Sequence, residues 1–391
     1  MREHEEQFSA ANTADKTSYR WLIGLVNFLL SFATQGSIIF IPLLGADLGA
    51  TDFQIGLVGA VYGTAFLSSS LYSGWKSDRQ GRLPFVRWGL LISSAAFATQ
   101  LLADSVPILM LARGIVGLSL GIATAAIIAY AFEAGADMGK YSSYGSLGWI
   151  FGAAAGALVA DIQLLFWLSF ISCLLGFLLS LAFPQKQPYD FTRPPNLWQV
   201  LRRDYRVYLS VFLRHLGATA VWIILPLYLA SLGFDKFWIG ILWVINFSVQ
   251  FLVMRVLAGF SEYKIFFYGQ LLSVLVFSAM AFFTGRTHLI IIMALLGVAW
   301  SCLYVGALLI VLRSGEEKGT AGGIFQATLN LCSALGPFFG GIIAQGMGYR
   351  GVLYFAAALG VMGMFAAAPA KQSKPDISSG SLFKKNITGS K

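Results

Sequence analysis

Charge is what this sequence has least of. Only 12% of its 391 residues are Asp, Glu, Lys or Arg, against 57% hydrophobic, and the mean hydropathy is +0.72. A water-soluble domain carries roughly 25% charged residues; with about half that share a chain cannot cover a hydrated surface. That excludes a soluble enzyme, a soluble nucleic-acid binder and a disordered scaffold. Cysteine is also scarce. Cys173, Cys302 and Cys332 lie inside apolar segments without metal-ligand spacing, which excludes a disulfide framework and a structural metal site. The three histidines, His4, His215 and His288, are far apart. With no phosphate loop or nucleophile motif either, no enzyme activity, cofactor or metal is expected. Carboxylates are missing from one place in particular: all 18 Asp and Glu fall in tails, loops or helix ends. A proton-driven carrier often uses a buried membrane carboxylate; here only Glu133, Asp161 and Asp47 near helix ends, and His215 deeper, are available. A coupling proton, a counter-anion and uniport all remain open on this basis.

Long apolar runs are abundant. Spanning the hydrocarbon takes about 20 such residues, which predicts twelve spans near 21–44, 54–75, 84–103, 106–132, 143–161, 163–183, 206–231, 237–259, 265–284, 288–312, 320–345 and 349–369. Pro184, Pro188, Pro194 and Pro195, interleaved with charges, mark a linker. The expected organisation is a polar tail 1–20 with no cleavable leader, a six-helix bundle 21–183, a linker 184–205, a second bundle 206–369 and a disordered tail 370–391. With the N-terminus in the cytoplasm, all Lys and Arg fall on the cytoplasmic side except Lys236, Arg286 and Arg350 outside and Arg113, Arg214 and Arg255 within helices. That bias places both termini in the cytoplasm of a multi-pass cell-membrane protein. The net charge of +9 then reflects topology and attraction to anionic lipid; no nucleic-acid partner is expected.

The halves repeat. A single constant offset aligns Pro42 with Pro226, Leu43 with Leu227, Gly49 with Gly233, Phe53 with Phe237, Ile55 with Ile239 and Gly56 with Gly240. Two parallel six-span halves describe a large transporter architecture with its site at their interface.

Between the second and third spans stands Gly74-Trp-Lys-Ser-Asp78-Arg79-Gln-Gly81-Arg82-Leu-Pro84. Gly74 removes a side chain so that two helix ends can approach, Gly81 permits a tight turn, and Asp78 is a carboxylate at a helix end. The loop resembles the signature of the major facilitator superfamily in both spacing and position. Arg113-Gly-Ile-Val-Gly117-Leu-Ser-Leu-Gly121 resembles that family's fourth-helix motif, while Gly259-Phe-Ser-Glu262-Tyr-Lys264 is a remnant of the loop in the second half. Gly148, Gly152 and Gly156 mark a close-packing face on the fifth span, and Gly336-Pro337 falls on the eleventh. The resemblance implies an all-α membrane fold of two pseudo-symmetric halves that rock about a central site. It also implies a gate: Asp78 meeting the eleventh span at Gly319-Thr320, and an arginine of the loop pairing with Glu133. Gly74, Asp78, Arg79, Gly81, Arg82 and Glu133 form the gating set, and an Asp78/Arg82/Glu133 latch is expected to favour the inward-closed state.

Polar residues inside the spans are the substrate candidates, since buried charge needs a partner or a wet cavity. Arg214 lies about 12 Å into the seventh span, followed by His215; Arg113 lies about 10 Å below the outer face. Asn246 with Gln250, and Gln326 with Asn330, each share a helix face at i, i+4. Asn27, Gln35, Trp222 and Tyr304 complete a set expected to face one cavity. The expected substrate is a small organic molecule, anionic because every embedded charge is cationic, moved by a monomer among membrane lipids. A multidrug or amphiphile efflux pump, a lipid flippase and a non-transporting receptor are the alternatives.

Overall fold

Helices account for almost every residue of the computed structural model, which describes residues 2–136, 138–159, 161–185, 197–257, 260–315 and 317–367. In chain order they are α1 (Arg2–Ile38), α2 (Ile41–Asp47), α3 (Asp52–Gln80), α4 (Arg82–Thr99), α5 (Val106–Glu133), α6 (Met138–Val159), α7 (Ile162–Ser180), α8 (Leu197–Arg203), α9 (Tyr205–Ser231), α10 (Lys236–Val256), α11 (Glu262–Phe282), α12 (Arg286–Arg313) and α13 (Lys318–Ala367). Ten helices among the described residues are long and apolar enough to cross a membrane. The last of these bends at Gly348 (φ 72°) and is two helices, and α6, diluted by glycine and serine, supplies the remaining crossing at 22 residues.

Two local features go beyond the sequence reading. The segment 1–20, expected as a polar tail, is helical from Arg2 onward and runs unbroken into the first span. That span does not reach residue 44 as one helix: it stops at Ile38 and restarts as α2, with Pro42 in the first turn. Proline has no N–H for the carbonyl four residues back, here that of Ile38, and its ring collides with that turn. Its repeat partner Pro226 is carried inside α9 without a break. The centre of the linker, 186–196, and the tail 370–391 lie outside the described residues.

The repeat in the sequence is structural as well. Gly49 and Gly233 both turn the chain in the left-handed region, at φ 81° and 85°, a conformation that costs glycine least. Just beyond them, Thr51 and Asp235 cap the next helix: Thr51 Oγ1 accepts from the Gln54 amide at 3.3 Å and Asp235 Oδ1 from the Trp238 amide at 2.9 Å. α1, α3, α4, α5, α6 and α7 pack on one another, as do α9, α10, α11, α12 and α13; α3 against α13 and α6 against α10 join the two groups.

Those two junctions are related by the same repeat. A Cβ on Gly56 would lie 2.7 Å from the Gly341 Cα, and one on Gly240 would lie 2.7 Å from the Ala157 Cα. The offset that carries Gly56 onto Gly240 also carries Ala157 onto Gly341. Both contacts lie toward the face away from the chain termini. There Tyr349 donates to Asp52 Oδ1 at 3.2 Å, the Phe53 amide donates to Gln345 Oε1 at 3.5 Å, and the Phe53 and Phe338 rings meet at 6.1 Å. Toward the terminal face the same elements separate. Leu71, Tyr72 and Trp75 of α3 are exposed, and a Cβ on Gly74 or on Gly323 would meet nothing within 4 Å. The close approach expected at Gly74 is therefore absent: the molecule is open on its terminal face and shut on the other.

Gly56, Gly63 and Gly74 fall on one stripe of α3 at helical spacing. Gly56→Val is expected to force α3 from α13 and open the shut face. The check is the distance between spin labels at Asp104 and Thr284, which should lengthen; Gly74→Val should leave that distance unchanged here.

Candidate functional site

At the terminal end of α3, Gly81 (φ 89°) turns the chain into α4. Arg82 is the centre of the charged cluster there. Its guanidinium pairs with Asp78, donates from Nε to Glu133 Oε1 at 2.9 Å, and reaches Ser77 Oγ at 2.8 Å and the Gly74 carbonyl at 3.3 Å. Arg79 stands apart, 4.4 Å over the Trp75 ring. Asp78 is thus held within its own bundle in this conformation.

The second half carries a fuller counterpart than the remnant its sequence suggests. Arg313 at the end of α12 donates to Glu262 Oε2 at 2.9 Å. Both pairs join positions 51 apart, and one interval carries Arg82 onto Glu262 and Glu133 onto Arg313. Their polarity is reversed: the loop supplies arginine in the first half and glutamate in the second. The exchange of charges hides this symmetry from the sequence. Nearby, Arg203 donates from Nε to Ser314 Oγ at 3.2 Å and from its terminal nitrogen to Glu317 Oε2 at 3.0 Å, while Ser314 Oγ donates to Asp204. Together these tie the end of α8 to the turn before α13. The Glu317 carboxyl is lowered below its ordinary range by a hydrogen bond from its own backbone and by Arg203, and the pairing raises Arg203 in turn.

Mid-membrane, the candidates divide into three groups. In the first bundle, Arg113 is buried; its NH1 donates to Gln100 Oε1 at 3.1 Å, and its guanidinium lies 4.3 Å over the Tyr62 ring. Asn27 donates to the Tyr141 carbonyl at 2.9 Å, and Gln35 lies against Gly152, so both sit between α1 and α6. The second group, Asn246 and Gln250, does not face the cavity as its spacing suggests. Asn246 donates to the Met293 carbonyl at 2.9 Å, Gln250 donates to Asn246 Oδ1 at 2.6 Å, and both are buried against α12. On α10 it is Phe247, at 5.8 Å from Trp149, that faces the other bundle.

The third group converges. His215 stacks on Trp300 at 4.7 Å and meets Trp222 edge-on at 5.2 Å; Tyr304 lies 5.5 Å from Trp300 and 5.4 Å from Phe325. Behind this wall Arg214 is completely buried, its guanidinium 5.3 Å from the Trp300 ring. Trp222, Trp300 and Tyr304 keep part of their surface exposed. Gln326 donates to Asn330 Oδ1 at 3.1 Å. These two continue the stripe of α13 that meets α3 at Ser333, Pro337 and Gly341, which places them on the cleft between the bundles. Sequence reasoning misses Trp300 and Phe325; a ring in an apolar helix carries no signal until its neighbours are known.

A sequence model of the Major Facilitator Superfamily matches residues 23–260 and 207–386. The chain is a member of that superfamily. It is 21% identical over 385 residues to the quinolone resistance protein NorA of Staphylococcus aureus, covering 89% of this chain and 95% of that one. Over 94 residues it is 33% identical to the sialic acid transporter NanX of Escherichia coli, 23% of this chain and 22% of the other. Among solved structures, the nucleoside transporter NupG superposes with a TM-score of 0.75 at 14% identity, covering 89% and 98% of the two chains. The human organic anion transporter MFSD10 gives 0.67 at 17% identity over 90% and 99%. The superfamily fold is therefore established along nearly the whole chain, and this is a multi-pass membrane transporter. Family and fold are those of secondary transporters.

The charged clusters lead to two predictions. The Arg82 side chain is 9% exposed and serves two carboxylates. Arg82→Ala leaves both without their shared cation and should cost on the order of 2 kcal/mol, lowering the Tm in detergent. Arg313, 58% exposed, should cost less than about 1 kcal/mol. For Glu317, a depressed folded-state pKa means that its contribution is present above the ordinary Glu range and is lost as pH falls through the lowered value. The Tm difference between wild type and Glu317→Gln should accordingly persist at pH 5 and shrink below about pH 4.

Proposed function

We propose that the chain moves a small organic anion across the cell membrane by alternating access, with two six-helix units, 21–183 and 206–369, rocking about the cleft. The Lys and Arg bias supports a cytoplasmic location for the terminal face, and with that assignment the structure is inward-facing. The glycine stripe of α3 supports the rocking motion: Gly56 and Gly63 seat α13 now, and Gly74 would seat it when the terminal face closes. The Asp78/Arg82/Glu133 cluster would then favour the closed terminal face by presenting a rigid, charge-satisfied end of α3 to the start of α13.

The observation that carries the substrate class is Arg214. It is fully buried beside the partly exposed Trp222, Trp300 and Tyr304 wall, and no span of the sequence supplies a mid-membrane carboxylate to neutralise it. A positive potential set behind aromatic faces, with the Gln326 and Asn330 amides on the same cleft, suits a solute with a flat ring and a negative group. Small movements of Trp222 or Trp300 during closure would bring that group to the guanidinium.

The test is a thermal-shift and binding screen of the purified protein against organic anions, sugars, amino acids and lipophilic cations. Organic anions should raise the Tm, and Arg214→Gln should weaken their binding at least tenfold. A response confined to lipophilic cations and unchanged in Arg214→Gln would remove the anionic reading. It would select a second one, efflux of amphiphilic compounds, which the full-length similarity to NorA favours.

A further inference from the structure

Arg214 carries five N–H donors. Its Nε donates to Ser273 Oγ at 2.9 Å, and that hydroxyl gives its own proton to the Gly269 carbonyl at 2.7 Å. NH1 and NH2, both fully buried, have no hydrogen-bond partner among the described residues. Around the same Trp300 ring stand two more buried polar atoms without a partner there, His215 Nδ1 and Trp222 Nε1. The Gln270 amide, across the α9–α11 contact, donates from Nε2 to Ser210 Oγ, while its Oε1 is a further buried atom without a partner among the described residues. A fully buried guanidinium without counter-charge is among the least favourable arrangements a membrane interior can hold. Water can fill hydrogen bonds, but it cannot balance the charge.

We propose that NH1 and NH2 of Arg214 hold a small inorganic anion of halide size, enclosed between α9, α11 and α12, when no organic solute is bound. In this conformation NH1 and NH2 are shut off, with the Phe277 and Trp300 rings 5.5 Å and 5.3 Å from the guanidinium, so an ion reaches them only as a ring shifts, and a monatomic ion needs a smaller shift than a branched one. The proposal rests on the reading that Arg214 draws the solute's negative group. It adds that the two anions exclude each other at one guanidinium, so the inorganic ion serves as counter-anion.

The test uses the full chain in detergent at fixed ionic strength, with sodium chloride replacing sodium gluconate. Chloride and bromide should raise the wild-type Tm by about 2 °C for each tenfold increase above the Kd, and this response should vanish in Arg214→Gln. Bromide-soaked crystals of the wild type should give an anomalous peak within hydrogen-bond distance of Arg214, a readout that needs no variant to fold. Equal Tm in chloride and gluconate, with no such peak, overturns the inorganic site; organic-anion binding that still depends on Arg214 would then leave the proposed function standing. A halide response lost in Arg214→Gln, alongside organic-anion binding unaffected by that change, would uphold the site and overturn the solute reading instead. Halide and organic anion binding together, without mutual competition, overturns the counter-anion role.

Discussion

The rest of the molecule depends on one close approach made twice, where Gly56 meets the backbone of Gly341 and where Gly240 meets Ala157. In a bilayer no hydrophobic force draws helices together, so association falls to close van der Waals packing between small residues. At these two points nothing larger than the Ala157 methyl group stands between the bundles, which fixes the shut face as a pair of pivots. Everything on the terminal side of the pivots is then free to part, and the aromatic and amide groups of the cleft lie just beyond them.

Electrostatics follows the same duplicated plan with one inversion. Arg82 with Glu133 and Glu262 with Arg313 hold equivalent corners of the two bundles, yet each corner has its charges in the opposite order. The Glu262–Arg313 pair is neutral in itself, whereas Arg82 is shared between Glu133 and Asp78, so the two corners differ in net charge as well as in order.

Much of the architecture was legible because membrane helices must satisfy their own backbone and therefore advertise themselves as long apolar runs. The constant offset between the halves revealed the repeat, and the structure sets two of the residues that it aligns, Gly56 and Gly240, at the pivots. The breaks in that legibility have particular causes. Pro42 and Pro226 look alike in sequence, but one ends a helix and the other is absorbed, because neighbouring packing decides whether a freed carbonyl is tolerated. Asn246 and Gln250 share a face, as their spacing requires; which face depends on α12, and spacing alone cannot see α12. The aromatic wall around Trp300 was invisible for the reason that every ring in an apolar helix reads as packing. Arg214 stood out in sequence only because charge there is rare.

The unequal lengths of α3 and α10, 29 and 21 residues, carry a further consequence. At 1.5 Å per residue α3 extends about 44 Å, well beyond a hydrocarbon core of roughly 30 Å. Its projecting end bears Tyr72, Trp75, Lys76 and Arg79, joined as two cation–aromatic pairs, the chemistry that settles at lipid headgroups. The end of α3 is thereby moored to the water–lipid boundary, as are α9 and α10 through Arg206 over Tyr205 and Arg255 over Phe251. Bilayer thickness thus bears most directly on the long α3, and the lipid composition around the protein becomes part of what sets its tilt.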